Sequence, residues 1–392
     1  MKKVFSEVEK TCTFVSPNKV ILGKGAAQQV GSEVKILGGK KVLIVTDPGV
    51  VKTGLVQVIL DALKNQGIKY EVFDKVEPEP PARVVDAGAQ AAVDNKCDTI
   101  IGFGGGSSLD VAKGVSIVAT NKGKVLDYTG IDMVPKRGIP KILIPTTAGT
   151  GSEVTRVFVV TDETDNTKKV IYTNYNLAEV GLLDPMLTLS MPPSVTADTG
   201  FDALVHAVES YVSVNTTPFA EILSLQAISL IAHNLPIAYS KGTNVQARYN
   251  MLFAACIAGM AFSSGGLGAV HGLSYPLGTD FHMAHGKSNA IMLPHIVNFN
   301  FMGSMEKYAQ IAETMGENIQ GLSPYEAAKK SVDAIKSLLN IVNISYKLRD
   351  YGVKKSDLPK LVEGGLKQAR LFVPNPRDPS ESDVKLIYES AL

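Results

Sequence analysis

The sequence predicts two domains, an α/β domain with a parallel sheet followed by an all-α domain. Apolar runs of strand length alternate with amphipathic helical segments over the first half of the chain, and strand signals almost vanish after about Pro192. Strands that are apolar on both faces need helices on both sides, so this alternation predicts a parallel sheet. The boundary is expected near Leu187, which gives domains at residues 1–187 and 188–392.

Predicted strands and helices alternate along the first domain. An extended arm that ends near Leu22 precedes the first helix, and the continuous apolar run at 41–46 is a buried strand closed by Asp-Pro-Gly. Further strands are predicted at 69–76, 99–103 and 141–144, and helices at 26–37, 50–66, 81–95 and 108–119. Short strands between 156 and 184 indicate a β-ribbon and a last strand.

Helical periodicity dominates the second domain. Helices are predicted at 194–212, 220–233, 245–262, 305–315, 324–339, 356–369 and 380–390. The segment between the third and fourth of these helices carries His271 and His285, which are expected on loops.

Composition and charge exclude several classes of function. The 392 residues include 39 basic and 38 acidic side chains, so nothing points to nucleic acid or to an anionic membrane surface. The start, MKKVFSEVEKTCTF, has no signal-peptide core, and no later apolar run reaches about 18 residues without polar interruption. Three widely separated cysteines indicate free thiols in a reducing compartment. We therefore expect a cytoplasmic protein that binds small molecules.

All six histidines lie between His206 and His295. Asp202 and His206 are four residues apart in a predicted helix, so their side chains face one way. Together with His271 and His285 they offer one carboxylate and three imidazoles, which suit Fe(II) or Zn(II) better than Mg or Ca. A buried Asp–His hydrogen bond with unrelated histidines would give the same pattern, so both interpretations stay open.

Gly104, Gly105, Gly106 and Ser107 follow a predicted strand and open a helix. At such a place backbone N–H groups and the helix dipole can hold a pyrophosphate. Glycine is needed because a side chain would keep the phosphate away from those amides. The segment is not GxGxxG, and a tight strand–helix turn explains it as well.

A hydroxyl-rich loop that includes Thr146, Thr147 and Thr155 follows the next strand. It can donate to phosphate, ribose or a carboxamide, although a capped helix start would look similar. Asp47 ends the first buried strand, where a carboxylate can accept from a ribose hydroxyl and would repel a 2′-phosphate. A turn residue in Asp-Pro-Gly is an equal explanation.

With the glycine loop, the PTTAGTGSEVT segment and the Asp/His quartet in this order, the chain resembles the iron-containing (group III, metal-dependent) alcohol dehydrogenase family. The match covers nearly the whole length. It implies a Rossmann-like dinucleotide-binding domain and a helical metal-binding catalytic domain, the two-domain plan of dehydroquinate synthase-like proteins. It also implies NAD rather than NADP as the cofactor and one divalent metal, Fe(II) in preference to Zn(II).

The resemblance assigns roles residue by residue. The implied metal ligands are Asp202, His206, His271 and His285. The implied cofactor-binding residues are Asp47, Gly104, Gly105, Gly106, Ser107, Thr146, Thr147, Thr155, Lys169 and Leu187.

The sequence departs from the family pattern at two positions, Tyr275 and Glu79, and has one additional histidine nearby. Many members have a histidine four residues after the third ligand, where this chain has Tyr275, a poorer base at neutral pH. Hydroxyacid–oxoacid transhydrogenases of the family also look to carry Ser-Tyr-Pro here. His282 is an extra imidazole, and we take Tyr275 and His282 as candidates for the proton path. Glu79 stands where some NAD-binding members have asparagine.

The predicted function is hydride transfer between a nicotinamide and a small alcohol or aldehyde, by an alcohol dehydrogenase or aldehyde reductase. A hydroxyacid or semialdehyde dehydrogenase, or a hydroxyacid–oxoacid transhydrogenase, is the alternative within the family. A dehydroquinate-synthase-like lyase is disfavoured because Lys241 and Arg248 are too few cations for a phosphorylated substrate. A non-enzymatic NAD-binding metalloprotein also stays open. The family implies a homodimer or a larger homo-oligomer.

Overall fold

The structure is a computed structural model that describes residues 11–165 and 167–392. The chain divides into two compact units, Val15–Ser190 and Met191–Leu392, and the described residues up to Phe14 group with the second. The division falls close to Leu187, where the sequence predicts the boundary. The prediction that the N-terminal stretch has no signal-peptide core concerns residues that lie mostly outside the described ones.

The first unit is an α/β unit. Its strands are β1 (Lys19–Leu22), β2 (Lys41–Val45), β3 (Lys69–Phe73), β4 (Thr99–Gly104), β5 (Gly130–Ile131), β6 (Lys141–Pro145), β7 (Val157–Asp162), β8 (Thr167–Tyr172) and β9 (Val180–Leu183). Its α-helices are α1 (Val30–Ile36), α2 (Pro48–Lys52), α3 (Val56–Asn65), α4 (Ala82–Asp94) and α5 (Gly106–Val118). Short 3₁₀ helices lie at Ala26–Gln29, Val125–Tyr128, Ser152–Val154, Asn174–Asn176 and Pro185–Thr188.

The main sheet has six parallel strands in the order β1-β9-β6-β4-β2-β3. Every residue of β4 and β6 is buried, as expected for central strands covered on both faces. Residues of α4 and α5 pack on one face, and residues of α1 and α3 pack on the other. The predicted parallel sheet is confirmed. The predicted β-ribbon is the antiparallel pair β7–β8, which β5 extends into a smaller sheet.

Two helix predictions in this unit differ from the structure in their bounds. The segment predicted as one helix at 50–66 forms α2 and α3, separated by a turn in which Gly54 has φ of 78°. Glycine adopts this left-handed conformation without the steric cost of a side chain. The helix predicted from residue 108 begins at Gly106, so two glycines of the loop stand at the start of α5.

The second unit is helical. It contains α6 (Pro193–Val212), α7 (Pro218–Ser240), α8 (Val245–Gly265), α9 (Ala269–Phe281), α10 (His285–Asn300), α11 (Met305–Thr314), α12 (Pro324–Ile341), α13 (Leu358–Leu366) and α14 (Glu381–Ala391). Short 3₁₀ helices lie at Phe301–Gly303, Leu348–Tyr351, Lys355–Asp357 and Ala369–Leu371.

The prediction of loops around His271 and His285 is wrong, because both residues lie on helices, α9 and α10. Pro276 lies inside α9 and Pro294 inside α10. Proline lacks an N–H and crowds the preceding turn, so a sequence pattern that contains it indicates a helix end. Most residues of both helices are buried, and this burial offsets the lost hydrogen bonds.

Helix α6 lies at the centre of the second unit and packs against α7, α8 and α10. Its residues from Gly200 to Val212 are all buried, which is typical of a helix with neighbours all round. The buried guanidinium of Arg248 fixes the start of α6, since it donates to Thr196 Oγ1 at 2.7 Å and to Met191 O at 3.1 Å. The helix that carries the first two candidate ligands is therefore held rigidly.

Among the described helices, α7 alone is by itself long and apolar enough to cross a membrane, on length and composition. Helices α8 and α9 pass the same test as a pair bent by 110°. Core helices of globular proteins often do so too, and α7 packs its buried residues, such as Ile228 and Leu235, within the helical unit. The finding is weak evidence for a membrane span.

Candidate metal centre and cofactor loops

The candidate metal centre begins on α6, where Asp202 and His206 lie one turn apart and point the same way. His206 Nε2 is 3.9 Å from Asp202 Oδ1, and both side chains are about 95% buried. The imidazole of His206 packs between two rings, with centroid distances of 4.5 Å to Phe262 and 5.0 Å to His271. The predicted helical pair is therefore present, in an environment that excludes water.

His271 enters the centre from α9 and is held by a carboxylate of α6. Glu209 Oε2 accepts from His271 Nδ1 at 2.6 Å, and Glu209 Oε1 accepts from the backbone N–H of Val270 at 2.6 Å. Because an ionised carboxylate only accepts, Nδ1 carries the proton and Nε2 presents its lone pair. A carboxylate behind a histidine is the usual means of fixing the tautomer and orientation of a metal ligand.

His285 is the first residue of α10, and a close helix contact brings it to Asp202. A Cβ on Gly286 would lie 2.3 Å from the carbonyl oxygen of Asp198, so no other residue fits without displacing α10 from α6. His285 Nε2 lies 3.7 Å from Asp202 Oδ1, and its side chain is 32% exposed. The centre is thus open on the side of His285.

The ligand atoms of Asp202, His271 and His285 all lie within 4.8 Å of one another. The amide Nδ2 of Asn289 lies among them, at 2.7 Å from Asp202 Oδ1, 3.3 Å from His271 Nε2 and 3.2 Å from His285 Nε2. Three acceptors that face one donor have their lone pairs directed at one small volume. His206 adjoins this group through Asp202 but lies outside it.

The residues present fit a divalent ion. Burial by itself would raise the pKa of Asp202, but the neighbouring imidazoles of His206, His285 and His271 and the hydrogen bond from Asn289 outweigh it and hold the pKa below its ordinary value. Asp202 is therefore ionised at neutral pH. One carboxylate and imidazole nitrogens suit Fe(II) or Zn(II), and the accessible His285 side leaves room for a further ligand.

The two candidates for the proton path lie on α9. Tyr275 follows His271 by one turn, and its ring lies 5.8 Å from the ring of His285. Burial raises the pKa of Tyr275, and Arg370 opposes that rise, so the phenol stays protonated at neutral pH. His282 is the exposed C-cap of α9, in the left-handed conformation with φ of 52°. Their roles stay predictions.

The glycine loop joins β4 to α5. Gly104 has φ of 149°, and a Cβ there would lie 2.6 Å from Ser108 Oγ; a Cβ on Gly106 would lie 2.6 Å from Thr150 Cγ2. Among the described residues, no side chain caps the start of α5 at Gly105. The first amides of this 13-residue helix are thus available to an anion such as a pyrophosphate.

Asp47 lies directly beside this loop. Its Oδ1 accepts from Val50 N at 2.9 Å and caps α2, and its Oδ2 accepts from Ser108 Oγ at 3.0 Å. Asp47 is therefore compatible with both interpretations of the sequence. It is a turn residue that caps α2, and its carboxylate also lies next to the glycine loop, where a ribose could bind. Its contact with a ribose stays a prediction.

The hydroxyl loop is attached to the glycine loop and to α5. Thr146 N donates to Gly104 O at 2.9 Å. Thr155 is 1% exposed, and its hydroxyl accepts from the buried amine of Lys113 at 3.0 Å. Thr155 therefore holds the loop from inside. Thr146 is also buried and Thr147 is half-buried, and the cofactor contacts predicted for the three threonines stay predictions.

Lys113 is the residue of α5 that fixes this loop. Its Nζ donates to Ser152 Oγ at 2.7 Å and to Val157 O at 2.8 Å, besides Thr155. Asp110 accepts from Ser152 Oγ at 2.6 Å and from Val159 N at 3.0 Å. Lys113 is 0% exposed, and this burial lowers its pKa to about 8.

Lys169 and Leu187 lie apart from the loops. Lys169 Nζ is 2.5 Å from Asp165 Oδ2 and 3.6 Å from Asp162 Oδ2, within the β7–β8 hairpin. Leu187 is 3% exposed and packs in the apolar cluster on the α1–α3 face of the sheet. The structure does not bring either side chain into the loop contacts described above.

Two models of one family match the chain in succession. The model described as iron-containing alcohol dehydrogenase matches residues 17–185, and the one described as the C-terminal part of the Fe-containing alcohol dehydrogenase family matches residues 196–392. The chain belongs to the iron-containing alcohol dehydrogenase family. The predicted resemblance, the fold class and the enzyme class are confirmed.

Three relatives illustrate the likeness. The chain is 43% identical to long-chain-alcohol dehydrogenase 1 of Geobacillus thermodenitrificans, over 95% of this chain and 94% of that protein. It is 42% identical to a crystal structure of 1,3-propanediol oxidoreductase, with a TM-score of 0.95 over 98% of this chain and all of that one. It is 28% identical to sulfoacetaldehyde reductase from Bifidobacterium kashiwanohense in complex with NAD+, with a TM-score of 0.89 over 97% and 99%.

The protein is thus an oxidoreductase of the alcohol dehydrogenase and aldehyde reductase class, and its relatives do not favour the lyase alternative. Three residues that support the candidate sites were not identified from the sequence: Glu209, Asn289 and Lys113. Glu209 follows Asp202 by seven residues, which places it on the same face of α6. Asn289 stands four residues after His285 and shares its helix face. For Lys113 the sequence gives no signal, because a lysine on a predicted helix normally lies in solvent.

Proposed function

We propose that this protein is a metal-dependent, NAD-linked enzyme that interconverts a small primary alcohol and its aldehyde. One divalent ion, Fe(II) in preference to Zn(II), is held by Asp202, His206, His271 and His285. NAD is preferred to NADP. The family description supports iron, and the relative that was solved with NAD+ supports the cofactor.

One observation carries the proposal. Ligand atoms of Asp202, His271 and His285, from three different helices, lie within 4.8 Å of one another on the buried side of α6. Unrelated histidines with a single Asp–His hydrogen bond would not need Glu209 to orient His271, nor the close helix approach that Gly286 permits. The arrangement therefore supports a built metal site over an accidental cluster.

When bound, the divalent ion supplies Lewis acidity toward an alcohol or carbonyl oxygen, and the nicotinamide takes or gives the hydride. Residues of the chain orient the ligands and exclude water. Glu209 keeps the lone pair of His271 Nε2 directed into the site, and the buried ring of His206, which packs against the ring of Phe262, helps to exclude water from its inner side.

Tyr275 contributes a phenol on the open side of the centre. Because burial raises its pKa, it donates a hydrogen bond to a substrate oxygen and does not act as a base at neutral pH. His282 is exposed at the end of the same helix and is the candidate that exchanges a proton with solvent.

In the α/β unit, the free amides at the start of α5 hold the pyrophosphate, and Asp47 favours a ribose that carries no 2′-phosphate. Thr146 and Thr147 offer donors from the neighbouring loop. Lys169 and Leu187 remain candidates for contacts with the rest of the cofactor. We also propose a cytoplasmic homodimer or larger homo-oligomer.

The test is the initial rate of NADH and NADPH oxidation with propanal and butanal, on chelator-stripped protein with and without Fe(II) or Zn(II). We expect turnover that depends on added metal, is faster with NADH than with NADPH, and is higher with Fe(II). Many turnovers in stripped protein would refute the metal requirement. Oxidation that stops after one equivalent of NADH would refute catalysis and support a binding protein.

A further inference from the structure

A guanidinium lies next to the open side of the candidate metal centre. Arg370 belongs to the short 3₁₀ helix Ala369–Leu371, which packs on α9. The packing point is Gly272, where a Cβ would lie 3.0 Å from Phe372 Cε1 and 3.5 Å from Leu371 Cβ. Gly272 is the neighbour of His271, so Arg370 belongs to a segment anchored beside a candidate ligand.

Tyr275 connects Arg370 to the centre. Burial raises the pKa of Tyr275 and the nearby positive charge of Arg370 opposes that rise, and the ring of Tyr275 lies 5.8 Å from the ring of His285. Arg370 is thus one side chain away from the metal centre.

The exposure of the candidate ligands indicates the same side of the metal centre. Asp202, His206 and His271 have side chains only 4%, 5% and 2% exposed, whereas that of His285 is 32% exposed. Tyr275 is half-buried and Arg370 is exposed. A small molecule that reaches the centre on the side of His285 therefore approaches the guanidinium.

Arg370 differs from other cations of this unit because no carboxylate in the described part of the chain pairs with it. Lys360 pairs with Asp280, Lys367 pairs with Glu363 and Lys287 pairs with Asp198, each at 2.8 Å. Within residues 11–165 and 167–392, no ion pair includes Arg370. Among the described residues its positive charge is therefore not compensated by an ion pair.

We propose that Arg370 binds an anionic group of the substrate, so that the preferred substrates are short aldehydes or alcohols with a carboxylate or sulfonate at the far end. The planar guanidinium matches the oxygens of such groups with parallel hydrogen bonds. This inference rests on the proposed function and names the substrate class that the same centre prefers.

Only short substrates meet this geometry. Because Tyr275 touches both Arg370 and His285, an oxyanion at Arg370 and a carbonyl at the centre are separated by about one aromatic side chain. A short carbon chain suits that separation, and a long alkyl chain would place its apolar carbons against the guanidinium.

The experiment compares substrates matched in length on metal-loaded enzyme with NADH. Succinic semialdehyde is compared with butanal, and sulfoacetaldehyde with propanal, for the wild type, Arg370→Met and Arg370→Lys. In the wild type we expect kcat/KM to be higher for the anionic member of a pair. In Arg370→Met we expect the anionic-to-neutral ratio to fall about 10- to 100-fold, as for loss of a hydrogen bond to a charged group. Arg370→Lys restores part of the ratio.

The matched control is Lys367→Met, which removes one positive charge from the same segment but leaves Arg370 in place. Lys367 is 67% exposed and pairs with Glu363, so this variant keeps the wild-type ratio. Ethanesulfonate, a non-chelating anion, should inhibit butanal reduction competitively in the wild type and about 10-fold less in Arg370→Met. Metal content and far-UV circular dichroism verify that each variant is loaded and folded.

The outcomes separate this inference from the proposed function. If the loaded wild type reduces butanal and propanal but prefers neither anionic partner, the anion subsite is refuted and the dehydrogenase stands. An equal loss for both members of a pair in folded, loaded Arg370→Met also refutes the subsite, and assigns Arg370 to support of Tyr275. If the wild type reduces none of the four aldehydes, the proposed function fails and the subsite fails with it. The pair with the larger anionic-to-neutral ratio of kcat/KM indicates whether a carboxylate or a sulfonate is preferred.

Discussion

The candidate metal centre and the cofactor loops use opposite means to make a binding site. The centre consists of side chains on α6, α9 and α10, each fixed by another side chain or by close helix packing. The loops present backbone amides, and their glycines are needed because of what a Cβ would meet. One site depends on which side chains are present, and the other depends on side chains that are absent.

This difference determines how each site responds to substitution. Removal of a side chain in the helical unit removes a ligand or its support. Metal affinity should therefore fall most when a ligand is lost and less when only its support is lost. Addition of a side chain in the loops moves the backbone, so cofactor binding should weaken while metal binding persists. A loop variant that loses metal, or a ligand variant that loses cofactor affinity, would contradict this difference.

The largest effect is expected from His271→Ala. Loss of a ligand from the inner, water-excluded side should abolish metal retention and lower kcat/KM about 1000-fold or more. NADH affinity, measured by fluorescence titration, should change less than about threefold, because the loops lie in the other unit. A variant with full metal content and normal turnover would remove His271 from the centre.

A smaller effect on the same site is expected from Glu209→Gln. The new amide cannot accept from both His271 Nδ1 and Val270 N, since one of its two atoms is a donor. We expect metal affinity to fall about 10- to 100-fold, measured by competition with a chromogenic chelator.

The control for this variant is Glu221→Gln, which alters another buried carboxylate of the helical unit, paired with Lys307 at 2.8 Å. It should lower thermal stability without changing metal affinity. If the two variants lost metal equally, Glu209 would be merely structural.

In the loops, Gly106→Ala is the matching test. The added Cβ would lie 2.6 Å from Thr150 Cγ2, so the two loops must separate. Overpacking of this kind costs about 1 to 3 kcal/mol, so NADH should bind about 10-fold more weakly. Metal content should equal that of the wild type, and loss of metal here would contradict the independence of the two sites.

The smallest effect is expected from Asp47→Ser. Serine preserves the cap of α2 but removes the charge that disfavours a 2′-phosphate. The ratio of kcat/KM for NADPH to that for NADH should rise about three- to tenfold. An unchanged ratio would assign Asp47 to the turn alone.

The sequence was sufficient for most of the fold because buried strands and amphipathic helices have distinct periods. The central strands β4 and β6 are continuous apolar runs, and glycine marks the start of α5. It was insufficient for α9 and α10, where tertiary burial overrides the local preference of Pro276 and Pro294. The split of α2 from α3 at Gly54 shows the same limit, because one turn residue does not disturb the overall periodicity.

For the site, spacing within one helix was informative and long-range contact was not. Asp202 and His206 share a face of α6 by a rule that the sequence displays. Glu209 obeys the same rule, but its partner is 62 residues away, so the spacing alone does not indicate its role. Arg370 gives no local signal at all, because only the packing of its segment on α9 brings it near Tyr275.

Lys113 has a consequence for how the stability of the protein depends on pH. A buried amine with a pKa of about 8, against 10.5 in the unfolded chain, is favoured in its neutral form by folding. Below pH 8 this lysine is protonated in both states, and its burial opposes folding. Between pH 8 and 10.5 the unfolded chain binds more protons, so the free energy of unfolding rises with pH.

Lys141, another fully buried lysine of the α/β unit, has its pKa lowered by burial to about 8 as well. Glu153 has its pKa raised to about 7 and is largely ionised in both states above pH 7.5, so it changes little in this window. From pH 7.5 to 9 each lysine should add about 1 kcal/mol to the free energy of unfolding, measured by urea denaturation. Lys113→Met should lose one of these two increments. The same buried amine that fixes the hydroxyl loop is therefore expected to contribute more to stability at pH 9 than at pH 7.5.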